Sequence, residues 1–321
     1  MSSRIRIAYI LAPSHSGSTL LAFLLGAHPD ATTVGDTAGT TRRQDPAYRC
    51  SCGEVARTCS FWKRVSSEMV AQGFDFSVGD FGTRFESSRS RWGNRLLHAE
   101  HRGRFLEVVR DTVLWFGPGW RQEFREIAAR NAALAGTVLR ITSAKVLADS
   151  SKLPHRLKFL LRIPELDIKV IHLVRDGRGV VHTCIRDNRW SVAKSAMEWR
   201  RGIRAAEKLL SRLPVSQWTQ VRYEDLCADP RKTLEQLCMF VELDPSGVTL
   251  DFRSASLHVF GNKMRLDSTS EIRLDERWKT DLTQAEVAEV NRICGHLLRR
   301  YGYALDGALR PSGEPPPHAA C

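Results

Sequence analysis

The first thirty residues constrain the fold of this chain more than any other segment. Residues Arg4 to Leu11 predict a buried β-strand, and a short turn from Ala12 to Ser16 follows it. Residues Gly17 to Ala27 then predict a helix. A strand, a polar turn and a helix in this order place backbone N–H groups where they can bind an anion. The segment therefore predicts a phosphate-type loop.

The rest of the chain continues the alternation of strands and helices. The predicted strands are Val146–Asp149, Ile168–Val174 and Trp218–Arg222. The predicted helices are Leu153–Ile163, one from Val180, Ser191–Leu213, one from Pro230 to about Val241 with Asp229 as its cap, and one from the capping-box residue Thr283 to about Tyr301. Strands that alternate with helices imply a parallel sheet covered on both faces.

We therefore expect an α/β fold with a central, P-loop-like parallel sheet flanked by helices. Residues 1–307 are expected to form a single domain, in which an irregular or helical insertion at about 37–130 caps the active site. Residues 308–321 are Pro-rich, and we expect this tail to be disordered.

Composition narrows the possible functions. The 321 residues carry a net charge of +12, which fits an anionic partner such as a nucleotide or an acidic acceptor. The basic residues follow no nucleic-acid-binding pattern, so nucleic acid is not the expected partner. No apolar run is long enough to span a bilayer. Because the N-terminus lacks signal-peptide features, we expect a cytoplasmic protein whose eight cysteines are reduced thiols.

The polar loop departs from the ATP-binding pattern at one telling position. In A-P-S-H-S-G-S-T, residues Ala12 to Thr19, Ser18 stands where GxxxxGK(S/T) has its Lys. A kinase or ATPase uses that Lys, together with Mg²⁺, on the terminal phosphates. A terminal sulfuryl group carries one negative charge rather than two, so hydroxyls, N–H groups and a more distant cation can bind it without metal. The loop residues alone leave open a phosphosulfate-binding loop and an ordinary capped turn.

The loop and the helix after it carry a resemblance. The run H-S-G-S-T-L-L begins at His15, and G-A-H-P-D follows from Gly26 to Asp30. This pattern resembles the sulfotransferases that use 3′-phosphoadenosine 5′-phosphosulfate (PAPS), in particular bacterial members and the tyrosylprotein sulfotransferases. The resemblance implies metal-independent transfer of a sulfuryl group from PAPS to an acceptor hydroxyl. It also implies that the loop contacts the nucleotide through Ser14, His15, Ser16, Gly17, Ser18, Thr19 and Leu20.

The loop departs from the family at His15, where relatives have Lys or Arg. A neutral His still donates one hydrogen bond, but its charge depends on pH. The family's usual cationic contact to the bridging oxygen is therefore in question in this chain.

A second signature of the same family binds the 3′-phosphate. It is a strand that ends in Arg, with a hydroxyl residue eight positions later, and V-I-H-L-V-R-D-G-R-G-V-V-H-T supplies Arg175 and Thr183. Arg can hold a phosphate through two hydrogen bonds, and Thr keeps the hydroxyl donor. The alternative is that Arg175 pairs with Asp176 at the end of the strand.

Two weaker similarities complete the predicted nucleotide site. In V-R-Y-E-D-L the resemblance places Tyr223 at the adenine, although a core tyrosine beside a capping carboxylate is also possible. The run H-V-F-G-N-K-M-R, from His258 to Arg265, is similar to a loop that closes over the nucleotide in bacterial members. Its candidate contacts are Asn262, Lys263 and Arg265.

Sulfuryl transfer needs a base for the acceptor hydroxyl and a cation for the charge that leaves with the phosphate oxygen. Counted from His15, the position of the Glu base in the tyrosylprotein enzymes is Asp36 in this chain. The family's catalytic Lys corresponds to Lys152 in D-S-S-K. We rank His155 below Asp36 as a base, because it is displaced by one position from the family's His. His172 lies inside a predicted strand and is expected to be a core residue.

Three nearby cysteines suggest a metal site but fall one ligand short. Cys50, Cys52 and Cys59 lie in C-S-C-G-x5-C-S-F-W, whereas a structural zinc site needs four ligands. We therefore expect no bound metal and expect these cysteines to pack beside Phe61 and Trp62.

The acceptor and the oligomeric state are left open. The residues Arg89, Arg91 and Trp92 suggest an acidic or carbohydrate acceptor only weakly, and peptide, lipid and small phenols remain possible. Two other functions are carried as alternatives: a P-loop kinase or other NTP-dependent phosphotransferase, and a non-catalytic nucleotide-binding protein.

Overall fold

A computed structural model describes residues 4–38, 44–86, 94, 97, 104–116 and 118–305. Five strands in this part of the chain form one all-parallel sheet in the order β2-β3-β1-β4-β5. They are β1 Ile5–Leu11, β2 Ala31–Gly35, β3 Val146–Lys152, β4 Leu166–Val174 and β5 Trp218–Arg222. The α-helices are α1 Ser18–Gly26, α2 Ser60–Ala71, α3 Arg104–Phe116, α4 Pro118–Thr142, α5 Pro154–Leu160, α6 Gly177–Asn188, α7 Val192–Leu210, α8 Tyr223–Ala228, α9 Pro230–Phe240, α10 Trp278–Asp281 and α11 Gln284–Arg300.

The sheet confirms the α/β fold predicted from sequence. Side chains of β1 alternate between two cores, because successive residues of a strand point to opposite faces. Tyr9 and Leu11 belong to the core that contains residues of α2, α4 and α5. Ala8 and Ile10 belong to the core that contains residues of α1 and α9. Helices therefore cover both faces, and β1 is buried at the centre.

A third core joins helices α6, α7 and α11 beyond the end of β4. It includes Val174, Trp199 and Val290. The predicted capping box at the start of α11 is present, since Thr283 and Glu286 each bond the other's backbone N–H. These contacts fix α6, and with it the loop that follows β4.

The strand β2 and the helix α4 were not predicted. The boundary that sequence placed at about residue 130 lies within α4, which has 25 residues. The outer edge of β2 is covered by residues 257–265, here called the closing segment. The backbone N–H of Phe260 donates to Val34 O at 2.9 Å, and Asp36 N donates to Phe260 O at 3.3 Å.

Several expectations concern residues outside this part of the chain. The Pro-rich tail and the basic segment at Arg89, Arg91 and Trp92 both lie outside the described residues. No helix within the described residues combines the length and the apolar character needed to cross a bilayer.

Candidate active site

Predicted functional residues lie at the carboxyl ends of all five strands. Asp36 follows β2, Lys152 ends β3, the Ser14–Leu20 loop follows β1, Arg175 follows β4 and Tyr223 follows β5. The strands are parallel, so these ends meet at one edge of the sheet, where ligands of open α/β sheets bind. Residues far apart in sequence are thus brought into one row, in the order of the strands.

The phosphate-type loop adopts the conformation that an anion-binding turn needs. His15 and Gly17 both have positive φ, at 63° and 89°, and Gly17 is the N-cap residue of α1. Left-handed residues before a helix are the pattern from which anion-binding nests are built. Ser16 is fully buried, and its hydroxyl has no hydrogen-bond partner among the residues that the structure describes. A buried donor without a partner is costly, so this loop is suited to receive an acceptor oxygen.

The first helical turn continues this loop. Ser18, Thr19 and Leu20 are buried at the start of α1, whereas Ser14 is exposed at the beginning of the turn. The ring of Tyr223 closes the other side, because a methyl group on Gly17 would lie 2.5 Å from Tyr223 Cδ2. The loop and the predicted adenine residue are therefore in direct contact.

His15 is held as a neutral side chain. Burial lowers its pKa, and the charges of Lys152 and Arg175 lower it further, although Asp187 opposes them. Its Nε2 accepts a hydrogen bond from Asn188 Nδ2 at 3.2 Å, which leaves the proton of the neutral ring on Nδ1. His15 therefore offers this loop a hydrogen-bond donor and not the positive charge of a Lys or Arg.

Arg175 binds both the phosphate-type loop and Asp275. Its Nη1 donates to His15 O at 3.0 Å, and its Nη2 donates to Asp275 O at 2.8 Å and lies 3.2 Å from Asp275 Oδ2. Its guanidinium also lies 4.7 Å from the centre of the Tyr223 ring. Hydrogen bonding from Arg277, with the charge of Arg175, holds the pKa of the Asp275 carboxyl well below its usual range. An anion thus already binds at this guanidinium.

The alternative pair between Arg175 and Asp176 is not formed. The carboxylate of Asp176 binds Arg178 at 2.7 Å and accepts from its backbone N–H, which caps α6. Thr183 lies further along α6, is buried, and donates to Gly179 O at 2.9 Å. Its predicted contact with a 3′-phosphate stays a prediction.

Lys152 and Asp36 lie on the other side of β1. Lys152 has a φ of 70°, and its carbonyl oxygen lies 3.4 Å from Ala12 N, at the start of the loop. Its half-buried side chain forms no hydrogen bond or ion pair with any residue that the structure describes. Asp36 Oδ1 accepts from Ala38 N at 2.9 Å, as expected of a carboxylate that shapes a turn. Both catalytic roles stay predictions.

Sequence reasoning missed Asp149, which positions both strand ends. This buried carboxylate accepts from Thr37 Oγ1 at 2.6 Å and from Ser151 N at 2.9 Å, and Arg156 Nε lies 4.0 Å away. It therefore joins the turn after Asp36 to the residues before Lys152. An acidic residue directly after the apolar run Val146–Ala148 was the signal that could have found it.

The two candidate histidines lie in different environments. His172 is buried in β4, where burial lowers its pKa to about 4 and its Nε2 has no partner within the described residues. This is the core residue that the sequence predicted. His155 lies on α5 and is half-buried.

Arg265 is one of the residues that hold the closing segment in place. This buried side chain donates from Nε to Arg49 O at 2.8 Å and from Nη1 to Gly261 O at 3.1 Å, and it stacks 4.2 Å from the Tyr48 ring. Asn262 and Lys263 are both exposed. Asn262 caps a short turn, because its Oδ1 accepts a hydrogen bond from Met264 N at 3.1 Å. Nucleotide contacts by all three predicted residues stay predictions.

Known proteins have sequences similar to that of this chain. Residues 8–246 match the family profile described as "Sulfotransferase family". Carbohydrate sulfotransferase 5 of Mus musculus is 27% identical over 172 residues, covering 45% of this chain and 44% of that protein. Carbohydrate sulfotransferase 2 of Homo sapiens is 28% identical over 192 residues, covering 45% and 36%. The chain thus spans less than half the length of these relatives.

Solved structures share the fold. The sulfotransferase domain from the Synechococcus PCC 7002 olefin synthase has a TM-score of 0.52 at 20% identity, covering 92% of this chain and 96% of that one. The sulfotransferase domain from the curacin biosynthetic pathway also has a TM-score of 0.52, at 18% identity, covering 92% and 97%. With a family profile that matches most of its length, the chain belongs to the sulfotransferase family.

Proposed function

We propose that the protein transfers a sulfuryl group from PAPS to an acceptor hydroxyl. The observation that carries this proposal is the row of predicted residues along the carboxyl edge of the sheet. Asp36 and Lys152 lie on one side of the phosphate-type loop, and Arg175 and Tyr223 lie on the other. One side of the row offers contacts for a nucleotide, and the other offers a carboxylate and an amine for chemistry.

The described residues fit the donor. Within the described part of the chain the hydroxyl of Ser16 lacks a partner, and the loop around it has the backbone conformation of an anion-binding turn. Arg175 already binds the Asp275 carboxylate, so the same guanidinium can hold a 3′-phosphate. We assign the adenine to Tyr223 because its ring lies against both the loop and Arg175.

PAPS supplies the activated sulfuryl group, and the protein supplies a base and a cation. Asp36 accepts the proton of the acceptor hydroxyl as the acceptor's oxygen–sulfur bond forms and the bond to the leaving phosphate oxygen breaks. The ammonium of Lys152 stabilises the negative charge that develops on that oxygen. The neutral His15 ring donates a hydrogen bond where relatives place a cation.

A cavity of about 230 Å³ beyond Asp36 and Lys152 is the proposed acceptor site. Its lining is mainly basic and apolar: Ala38, Arg84, Phe85, Glu86, Leu153, His155 and Arg156. A basic lining suits an acceptor that carries acidic groups. Two relatives are named carbohydrate sulfotransferases, so acidic sugars are the first acceptors to test.

Nucleotide binding tests this function directly. We expect calorimetry to show tight binding of 3′-phosphoadenosine 5′-phosphate in buffer freed of Mg²⁺ by a chelating resin. Stronger binding of ATP, or a requirement for Mg²⁺, would favour a phosphotransferase instead. Transfer of labelled sulfuryl from PAPS to a panel of sugars, phenols and peptides then separates an enzyme from a non-catalytic nucleotide-binding protein.

A further inference from the structure

Four potential metal ligands meet beside the closing segment. Cys50, Cys52, Cys59 and His258 each offer one ligand atom, and these atoms all lie within 4.8 Å of one another. The sequence showed only the three cysteines. The fourth ligand comes from a segment about two hundred positions away. The fold therefore raises the number of potential ligands from the three found in the sequence to the four that a zinc site needs.

Three of the six ligand–ligand distances match the edges of a tetrahedral zinc site. With Zn–S near 2.3 Å and Zn–N near 2.05 Å, two sulfurs lie about 3.8 Å apart and a sulfur and a nitrogen about 3.6 Å apart. Cys52 Sγ lies 3.7 Å from Cys59 Sγ. His258 Nδ1 lies 3.7 Å from Cys50 Sγ and 3.3 Å from Cys59 Sγ. The remaining three distances are no longer than 4.8 Å, so the four atoms surround a space that one ion can occupy.

The surrounding backbone holds each ligand in place. Cys50 and Cys52 lie on a turn in which Cys50 N donates to Glu54 O at 2.9 Å. Cys59 is the N-cap residue of α2. The His258 ring stacks on Phe61 with a centroid distance of 4.5 Å and an interplanar angle of 1°. Such support is what keeps a ligand set preorganised for a metal.

Backbone contacts also place His258 opposite the cysteines. The Ser51 hydroxyl donates to Leu257 O at 2.6 Å and accepts from Val259 N at 2.8 Å. Ser51 thus binds the residues on both sides of His258. The histidine faces the turn because its neighbours are fixed there.

We propose that Cys50, Cys52, Cys59 and His258 bind one Zn²⁺ as a structural site. Three S–H bonds lose their protons to solvent as three zinc–sulfur bonds form, and the imidazole nitrogen Nδ1 completes four-coordination without any change of oxidation state. The site is separate from the proposed catalytic residues. Its role is to fasten the closing segment to residues 50–59, and hence to the edge of β2 and the start of α1.

The closing segment lies next to the phosphate-type loop, so its attachment to residues 50–59 bears on the nucleotide site. Phe260, two residues after His258, pairs with the end of β2. A methyl group on Gly261 would lie in van der Waals contact with Thr19 Oγ1, at 3.6 Å, so the closing segment lies against the start of α1. Loss of the ion should therefore free the closing segment, with an effect on nucleotide affinity as well as on stability.

The metal content of the untagged protein, purified anaerobically with a reductant, tests the proposal. We expect about one zinc per chain by elemental analysis. Replacement of Zn²⁺ by Co²⁺ should give the visible bands of a tetrahedral, thiolate-ligated ion. Cys52→Ser is the first variant because Cys52 is exposed and its loss leaves the buried ligands in place. Cys227→Ser, which changes a half-buried cysteine outside the cluster, is the matched control.

The zinc content of the ligand variants and of the control distinguishes a zinc site at these residues from the alternatives. Zinc should fall at least tenfold in Cys52→Ser and in His258→Asn, and stay near one per chain in Cys227→Ser. Zinc below about a tenth of an equivalent in protein with all thiols free would overturn the proposal. A Cys52–Cys59 disulfide in the anaerobic protein, detected as two missing thiols, would also overturn it. Zinc content unchanged in both ligand variants would show that the ion binds elsewhere.

Discussion

Replacing Gly17 with Ala should strain the loop in two separable ways. Its φ of 89° is left-handed, and adopting it costs an L-residue about 1–2 kcal/mol. The added methyl group would also lie 2.5 Å from Tyr223 Cδ2 and 2.9 Å from Cε2. Overpacking of this kind typically costs about 1–3 kcal/mol. We therefore expect Gly17→Ala to lower the free energy of unfolding by about 2–5 kcal/mol.

Gly73→Ala isolates the backbone part of this cost. Gly73 has nearly the same φ, 86°, but a methyl group there meets no atom of a described residue within 4 Å. We expect this control to lose only about 1–2 kcal/mol. Removing the Tyr223 ring should relieve the clash, so Gly17→Ala and Tyr223→Ala should show a coupling energy of about 1–3 kcal/mol in a double-mutant cycle.

Urea unfolding of the parent, the control and the cycle variants measures these terms, provided that the m-values agree. Calorimetry adds a functional readout, since a displaced Tyr223 ring should weaken binding of 3′-phosphoadenosine 5′-phosphate in Gly17→Ala but not in Gly73→Ala. Equal losses of stability in Gly17→Ala and Gly73→Ala, or effects at Gly17 and Tyr223 that simply add, would show that the methyl group does not clash with the Tyr223 ring.

Other substitutions test the nucleotide site, the proposed base and the core. Arg175→Ala should weaken binding of 3′-phosphoadenosine 5′-phosphate by about 2–4 kcal/mol but leave adenosine 5′-phosphosulfate unaffected; calorimetry showing equal losses would place Arg175 elsewhere. Asp36→Asn should lower turnover about 10²–10⁴-fold with little change in nucleotide affinity, and an acidic phenol acceptor should partly rescue it but not Lys152→Ala. Burial lowers the pKa of His172 to about 4, so between pH 6.5 and pH 4 the unfolded state binds a proton that the folded state does not. The free energy of unfolding should therefore fall by up to about 3 kcal/mol as the pH falls from 6.5 toward 4. Urea unfolding against pH should show a smaller loss in His172→Leu; identical pH profiles would contradict this.

The features that sequence predicted well are local ones. The strand, loop and helix from Ile5 to Gly26 are set by neighbouring residues, and the structure places them within one residue of the prediction. The positions of Arg175 and Tyr223 at strand ends follow in the same way. These assignments needed no knowledge of which strands are neighbours.

The missed features depend on contacts between distant residues. The strand β2, A-T-T-V-G, has almost no apolar run, and it forms because it pairs with β3 on one side and with the closing segment on the other. Asp275 reaches Arg175 from a segment without predicted structure. His258 joins the cysteines only after the chain has folded, so spacing along the sequence could not reveal it.

The central position of β1 has a consequence for folding. Its partner strands lie far along the sequence, since Arg6 pairs with Val146 in β3 and Ile5 pairs with Leu166 in β4. Such distant pairings are slow to form because a long loop must close before either strand gains a neighbour. During synthesis the apolar segment I-R-I-A-Y-I-L therefore has no partner strand until β3 has left the ribosome, and its second edge stays unpaired until β4 has followed. A chaperone that binds this segment should raise the yield of folded protein, because the unpaired strand is the one most exposed to aggregation.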